Sequence, residues 1–228
     1  MPALDPLDLG VLISGRGSNL QAILDAIGDG RLDARVRLVV SNRADAPGLD
    51  RARAAGVPTA VVRHGDFSDR PSFDAALVTL LRDASVSWVV LAGFMRLLTP
   101  VFLDAFPQRV VNIHPSLLPA FPGVDAHAQA LAYGTRITGC TVHLVDAGMD
   151  TGLILAQSAE AILDDDTAEA LAARMLPREH ALLVQVLSWI AEGRVDVVPP
   201  TVPGGRAWVR IRGASPAFGL ERPEGSSP

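Results

Sequence analysis

Hydrophobic and polar positions follow two rhythms along this chain. The short apolar runs "LGVLIS" (9–14), "VRLVVS" (36–41), "TAVV" (59–62), "SWVVLA" (87–92) and "VVNIH" (110–114) read as strands. Several are apolar without alternation, the pattern of strands buried on both faces. Between them, residues 18–28, 48–55 and 70–84 carry apolar positions at helical spacing, with Ser18, Asn19 and Asp69 placed to cap. This is a βαβ series. It predicts a parallel sheet with right-handed crossovers and a ligand at the carboxyl ends of its strands. After Gly123 the order changes to a helix over 126–133, a hairpin from "GCTVHLVD" and "LILAQSAEAIL", and a helix over 167–192 that Pro177 should break or restart. Beyond Pro199 the chain is rich in Pro, Gly and Ser, with one strand-like stretch, "AWVRI", in what otherwise reads as a mobile tail. The predicted class is α/β: a mostly parallel twisted sheet flanked by helices, with an antiparallel C-terminal portion. There is no internal repeat.

Composition narrows the chemistry. At 228 residues, 49% apolar and with a net charge of -5, the chain reads as a soluble globular protein of one or at most two domains. No run approaches the roughly 18 apolar residues of a membrane span, and the first residues lack a basic region followed by an apolar one. The expected location is the cytoplasm, with no membrane partner. One cysteine, Cys140, excludes an internal disulfide and a multi-cysteine metal site. All 20 basic residues are Arg. The absence of Lys removes Walker-type phosphate binding, Schiff-base chemistry and a lysine base, because each needs the amine. A phosphate must then be held by backbone, hydroxyl, amide or guanidinium. The arginines are scattered among acids, so no basic stripe points to nucleic acid.

Three stretches can carry chemistry. In "SGRGSNL" (14–20), directly after the first strand, glycines let the backbone approach a ligand and the following helix start supplies free N–H groups, which suits a phosphate. The stretch has Leu20 where a dinucleotide fingerprint has its third glycine, and the second strand ends in Ser41-Asn42-Arg43 rather than in a ribose-binding acid. A dinucleotide is disfavoured, although Arg43 offers a 2′-phosphate a partner; a tight turn without ligand is the plainer alternative. In "VVNIHPSLLPAFPG" (110–123), strand periodicity puts Asn112 and His114 on one face, two donors suited to an oxyanion and a general acid. Either residue alone reads equally as a satisfied polar group at a strand end. In "VHLVDAGMDTG" (142–152), a glycine-containing loop lets Asp150 reach inward, where a carboxylate beside His114 would favour the imidazolium. Taken singly, Asp150 is a turn residue. His127, His143 and His180 have no metal-ligand spacing and read as core or surface histidines, and Cys140 reads as packing.

The motifs "LISGRGSNLQA", "LAGFMRLL", "NIHPSLLPAFPG" and "TVHLVDAGMDTG", in this order across roughly residues 9–198, resemble the phosphoribosylglycinamide formyltransferase family, the folate-dependent formyltransferases of purine synthesis. The resemblance implies a Rossmann-like formyltransferase domain over residues 1–200, with residues 201–228 as an extension. It implies that Asn112, His114 and Asp150 are catalytic, that Gly17, Ser18 and Asn19 hold the substrate phosphate, and that Glu179 meets the glycinamide amine or ribose. Arg70, Met95, Arg96, Leu97 and Leu98, together with Asn112, would line the folate pocket. The implied co-substrate is 10-formyltetrahydrofolate, the implied acceptor glycinamide ribonucleotide, and no metal is called for; oligomeric state stays open. Leu153, Asp125 and Pro177 depart from the family pattern and bear on the folate loop and on the reach of Glu179. Methionyl-tRNA formyltransferase carries a further domain and basic surface, and formyltetrahydrofolate hydrolase an N-terminal regulatory domain, and neither is expected here. An NADP-binding oxidoreductase and a noncatalytic nucleotide-binding module are the readings outside the family.

Overall fold

A computed structural model of the protein describes residues 5–202 and 204–214 and the backbone of 217–218. The first half is the expected βαβ series: β1 (Leu7–Ile13), α1 (Ser18–Gly28), β2 (Ala34–Ser41), α2 (Gly48–Ala54), β3 (Thr59–Val61), α3 (Arg70–Asp83), β4 (Trp88–Leu91), α4 (Pro100–Leu103) and β5 (Val110–His114). These five strands pair parallel in the spatial order β3-β2-β1-β4-β5. The order reverses between β1 and β4, and the loops that leave their carboxyl ends therefore diverge and open a crevice. After α5 (Ala126–Tyr133), β6 (Ile137–Leu144) pairs antiparallel with both β5 and β7 (Ile154–Ala161). The helix α6 (Ala168–Ala191) follows, then β8 (Val195–Val198) pairs antiparallel with β9 (Trp208–Ile211), and β10 (Ala217–Phe218) lies parallel beside β7.

Side-chain alternation divides the core into two layers. Leu9, Val11, Ile13, Val90 and Val111 point to one face, where α1 and α6 cover them with Leu20, Ile23, Leu182, Leu183 and Val186. Leu12, Val40, Val89, Leu91 and Val110 point to the other, against Phe73, Leu77 and Leu81 of α3 and Phe102 of α4. Burying one such side chain fully contributes about 1.5–3 kcal/mol, so each layer holds its helices firmly.

Three local expectations are corrected. Neither Ser18 nor Asn19 caps α1: the cap position is Gly17, at φ 71°, and no side chain closes the helix start. A bonding cap was expected because Ser and Asn supply one elsewhere; here the first turn is left open. Asp69 does cap α3, accepting from the Ser72 N–H. Pro177 does not break the last helix, which runs unbroken for 24 residues and places Glu179 mid-helix. Pro177 and Ala173, whose carbonyl loses its partner, are both exposed, so water can serve that carbonyl while Met175, Leu182 and Leu183 keep the inner face packed. Where described, the chain beyond Pro199 forms β9 and β10, and residues 203, 215–216 and 219–228 of the expected tail lie outside the described residues.

Candidate active site

The crevice floor is built by Ser14, the residue after β1. Its buried hydroxyl donates to Asn42 Oδ1 at 2.7 Å and accepts from the Met95 N–H at 3.0 Å, so one oxygen ties the ends of β1, β2 and β4. Gly17 then turns the chain into α1. A Cβ there would stand 2.7 Å from Gly48 Cα, besides adopting a left-handed φ, so the close approach of α2 demands glycine. The Arg51 Nε–H donates to the Arg16 carbonyl at 2.9 Å and fixes the loop from outside. The first N–H groups of α1 are left without a capping side chain and face the loop mouth with the positive end of the helix dipole. A cavity of about 520 Å³ opens beside Ser18 between α1 and α6, bordered by Gln21, Arg51, Pro177 and His180; none of the strand-end polar residues lines it. Arg43 is engaged by Asp45 at 3.2 Å, which leaves it poorly placed for a 2′-phosphate.

The register of β5 against β6 assembles the polar cluster. Asn112 lies directly opposite His143 and His114 opposite Thr141, all four on the α3/α4 face that Val110 continues. This pairing is regular; on the other edge of β6, against β7, the register shifts between Val142 and His143, where Leu155 is the extra residue of a bulge. His114 is 4% exposed. Its Nε2–H donates to the Phe121 carbonyl at 2.8 Å, and its Nδ1 lies 3.4 Å from Asp150 Oδ2. Both partners are acceptors, so the imidazolium is the form that satisfies both. Asp150 sits at φ 54° and also accepts the Gly123 N–H at 2.8 Å. Burial pushes its carboxyl up, but the Gly123 N–H that it accepts and the His114 ring beside it outweigh this and hold it below the ordinary carboxylate range. The loop after His114 is braced by buried Thr141: its hydroxyl donates to the Ser116 carbonyl and accepts from the Leu118 N–H and Gln157 Nε2. His127 is pushed down, first by burial and then by its proximity to His114, which disfavours a second imidazolium there.

The remaining expected residues fall on either side. On the α3/α4 side, Leu98 is buried while Met95 and Leu97 are exposed, and Arg96 stacks on the Phe73 ring 5.4 Å from its centroid. Buried Asp74 accepts the Thr99 N–H at 2.6 Å and ties this segment to α3, whose exposed first residue is Arg70. On the α1/α6 side, Glu179 is 9% exposed, and burial raises its carboxyl to about 7. The same burial, with Glu179 nearby, pushes the Cys140 thiol up to about 12, so it is no nucleophile. The structure brings Asn112, His114 and Asp150 together and joins the 14–19 loop to Met95; Arg70 and Glu179 lie apart, on opposite faces of the sheet. Among the described residues no group of three or more His, Cys, Asp or Glu is arranged to hold a metal ion. Sequence reading missed His143, read above as a core or surface histidine. The signal was present in the facing patterns N-x-H (112–114) and T-x-H (141–143), but it needs the strand register to be read.

Comparison with known proteins follows this geometry. Residues 8–187 match the formyl transferase family. The phosphoribosylglycinamide formyltransferase of Escherichia coli is 42% identical over 191 residues, covering 84% of this chain and 90% of that protein. The trifunctional purine biosynthetic protein adenosine-3 of Drosophila melanogaster is 46% identical over 191 residues, but the chain spans only 14% of its length. Among solved structures, glycinamide ribonucleotide transformylase 1 from Symbiobacterium toebii is 47% identical with a TM-score of 0.86, covering 91% of this chain and 94% of that one. The phosphoribosylglycinamide formyltransferase of Coxiella burnetii, solved with CHES, is 41% identical with a TM-score of 0.84 over 91% of this chain and 94% of that one.

Proposed function

Because this chain belongs to the formyl transferase family, we propose that it transfers the formyl group of 10-formyltetrahydrofolate to the amine of glycinamide ribonucleotide, a step of purine synthesis. The observation that carries the reading is the cluster of Asn112, His114 and Asp150 at the carboxyl end of β5, beside the crevice where the strand order reverses. The substrate amine attacks the formyl carbon, whose oxygen becomes a tetrahedral oxyanion. Asn112 donates an amide N–H to that oxygen, and the His114 imidazolium offers its Nε2–H, exchanging the Phe121 carbonyl for the oxyanion. Asp150 keeps the ring charged and oriented. As the intermediate collapses, the bond from carbon to folate N10 breaks, N10 takes up a proton and the attacking nitrogen gives one up.

The layers of the fold suggest where the two reactants lie. The open start of α1, at Gly17, Ser18 and Asn19, is suited to the ribonucleotide phosphate, and Glu179 on the same side to its amine or ribose. The exposed Met95 and Leu97, with Leu98, Arg96 and Arg70, suit the ring system and carboxylates of the folate. The reading takes residues 1–200 as one catalytic domain with 201–228 as an extension, and a cytoplasmic location. Among the described residues no helix is long and apolar enough to cross a membrane. The test is a formyl-transfer assay with both substrates, run beside His114→Ala. Transfer by the wild type and a roughly 10²- to 10⁴-fold fall in the variant are expected. Absence of transfer, or full activity in His114→Ala, would refute the reading.

A further inference from the structure

His143 is 2% exposed, and both of its ring nitrogens have defined neighbours. Nδ1 lies 3.0 Å from the Leu144 carbonyl, and a carbonyl only accepts, so Nδ1 carries a proton. Only glycine at position 152 leaves room for this arrangement: a Cβ there would stand 1.5 Å from the Leu144 oxygen and 3.2 Å from Nδ1. Nε2 then faces two groups, Asn112 Nδ2 at 3.1 Å and Asp150 Oδ1 at 3.7 Å. The first distance is a hydrogen bond and the second is too long for one. Asp150 already serves the cation of His114 through its other oxygen, at 3.4 Å. A second buried cation would have to share that carboxylate, and its Nε2–H would confront the Asn112 amide hydrogens. The neutral ring, with a lone pair on Nε2, satisfies the Leu144 carbonyl and the Asn112 amide, and leaves Asp150 to the Gly123 N–H and His114.

We propose that His143 is a positioning residue: as the neutral Nδ1–H tautomer it accepts one N–H of Asn112 and thereby fixes which end of that amide turns to the reacting oxygen. An amide turned by half a rotation would set Oδ1 against the Nε2 lone pair, two acceptors facing each other inside the protein. That orientation is excluded, and the second N–H of Asn112 is left in the amide plane as the oriented donor. The chain of assignment runs from a backbone carbonyl, through a tautomer, to the direction of a donor. It rests on the formyl-transfer reading only for what the donor meets.

Two measurements test it, one independent of that reading. Nitrogen-15 NMR of histidine-labelled protein at neutral pH should show His143 neutral with its proton on Nδ1; a cation or the Nε2–H tautomer would overturn the proposal whatever the enzyme catalyses. The second compares two variants in the formyl-transfer assay. His143→Phe keeps an aromatic ring but offers no acceptor, and should lower kcat by about 10- to 100-fold, less than loss of an oxyanion donor itself, with KM for either substrate changed less than about threefold. His143→Gln restores an acceptor oxygen and should recover kcat to within about fivefold of wild type. Equal losses in the two variants, an unchanged kcat in His143→Phe, or a loss confined to KM would overturn it. Should His143→Phe not fold, the tautomer measured in the wild type still decides.

Discussion

Replacing Glu179 by Gln should make the protein more stable at neutral and alkaline pH and leave it unchanged in acid. Glu179 is buried on α6, and burial raises its carboxyl from 4.5 to about 7. A raised acid is one whose neutral form the native state prefers. Its contribution is fully present below the unfolded value near 4.5 and is lost as pH rises through about 7. The span is about 2.5 pH units, and at 1.36 kcal/mol each the ionised side chain costs the native state about 3 kcal/mol. Gln keeps the shape of the protonated acid and cannot ionise. The difference in unfolding free energy between variant and wild type should therefore be near zero at about pH 4.5 and grow to about 3 kcal/mol at about pH 8. Urea unfolding at several pH values, followed by the fluorescence of Trp88, Trp189 and Trp208, measures it. If the two stability curves run parallel from acid to alkaline pH, the Glu179 carboxyl titrates alike in the folded and unfolded chain and the assignment fails. A corollary concerns the substrate. An amine brought to Glu179 favours the carboxylate, so binding near neutral pH should release a proton in wild type and none in Glu179→Gln, which calorimetry in buffers of different ionisation enthalpy detects.

Other outcomes follow from the same geometry. Asp150→Asn keeps an acceptor for the Gly123 N–H but removes the charge beside His114, so turnover at neutral pH should fall by about 10²- to 10⁴-fold with little change in substrate affinity; steady-state kinetics check this. Because the Asp150 carboxyl is held below the ordinary range, its protonation should leave wild-type turnover untouched until below about pH 4, as a pH–rate profile would register. Gly152→Ala forces a Cβ onto the Leu144 carbonyl and should destabilise the fold by about 3 kcal/mol or more, lowering the melting temperature and turnover together. Cys140, buried with its thiol pushed up to about 12, should resist alkylation at about pH 8 in the native protein and react once in urea.

The strands and helices were legible because their patterns are local. "VRLVVS" and "SWVVLA" announce buried strands without any knowledge of their neighbours, and helix α1 begins and ends where its apolar spacing does. Errors arose where the deciding contact lies elsewhere in the chain. Pro177 is tolerated because the carbonyl it orphans faces solvent, a matter of which side of α6 packs. Ser18 and Asn19 leave the helix start uncapped because the turn into α1 is set by Gly17 against Gly48, some thirty residues away. The polar cluster was half visible. Asn112 and His114 share a face by strand periodicity alone, whereas His143 and Thr141 join them only through the antiparallel register of β5 against β6, which a single sequence does not state.

The Ser14 hydroxyl bears on what a ligand must do when it arrives. One oxygen holds the ends of three strands at the parting of the sheet while the crevice stands open, with Asn42 and the Met95 amide as its partners. A site whose floor is stapled in this way has little ordering left to impose on an incoming molecule, and ordering is a main entropic opponent of affinity. The exposed groups lie in the walls: residues 146–149 on one side and Met95 and Leu97 on the other. Ser14→Ala would convert the floor from a fixture into a moving part. The loss would then appear in the entropy of binding rather than in its enthalpy, even though Ser14 need not touch either substrate.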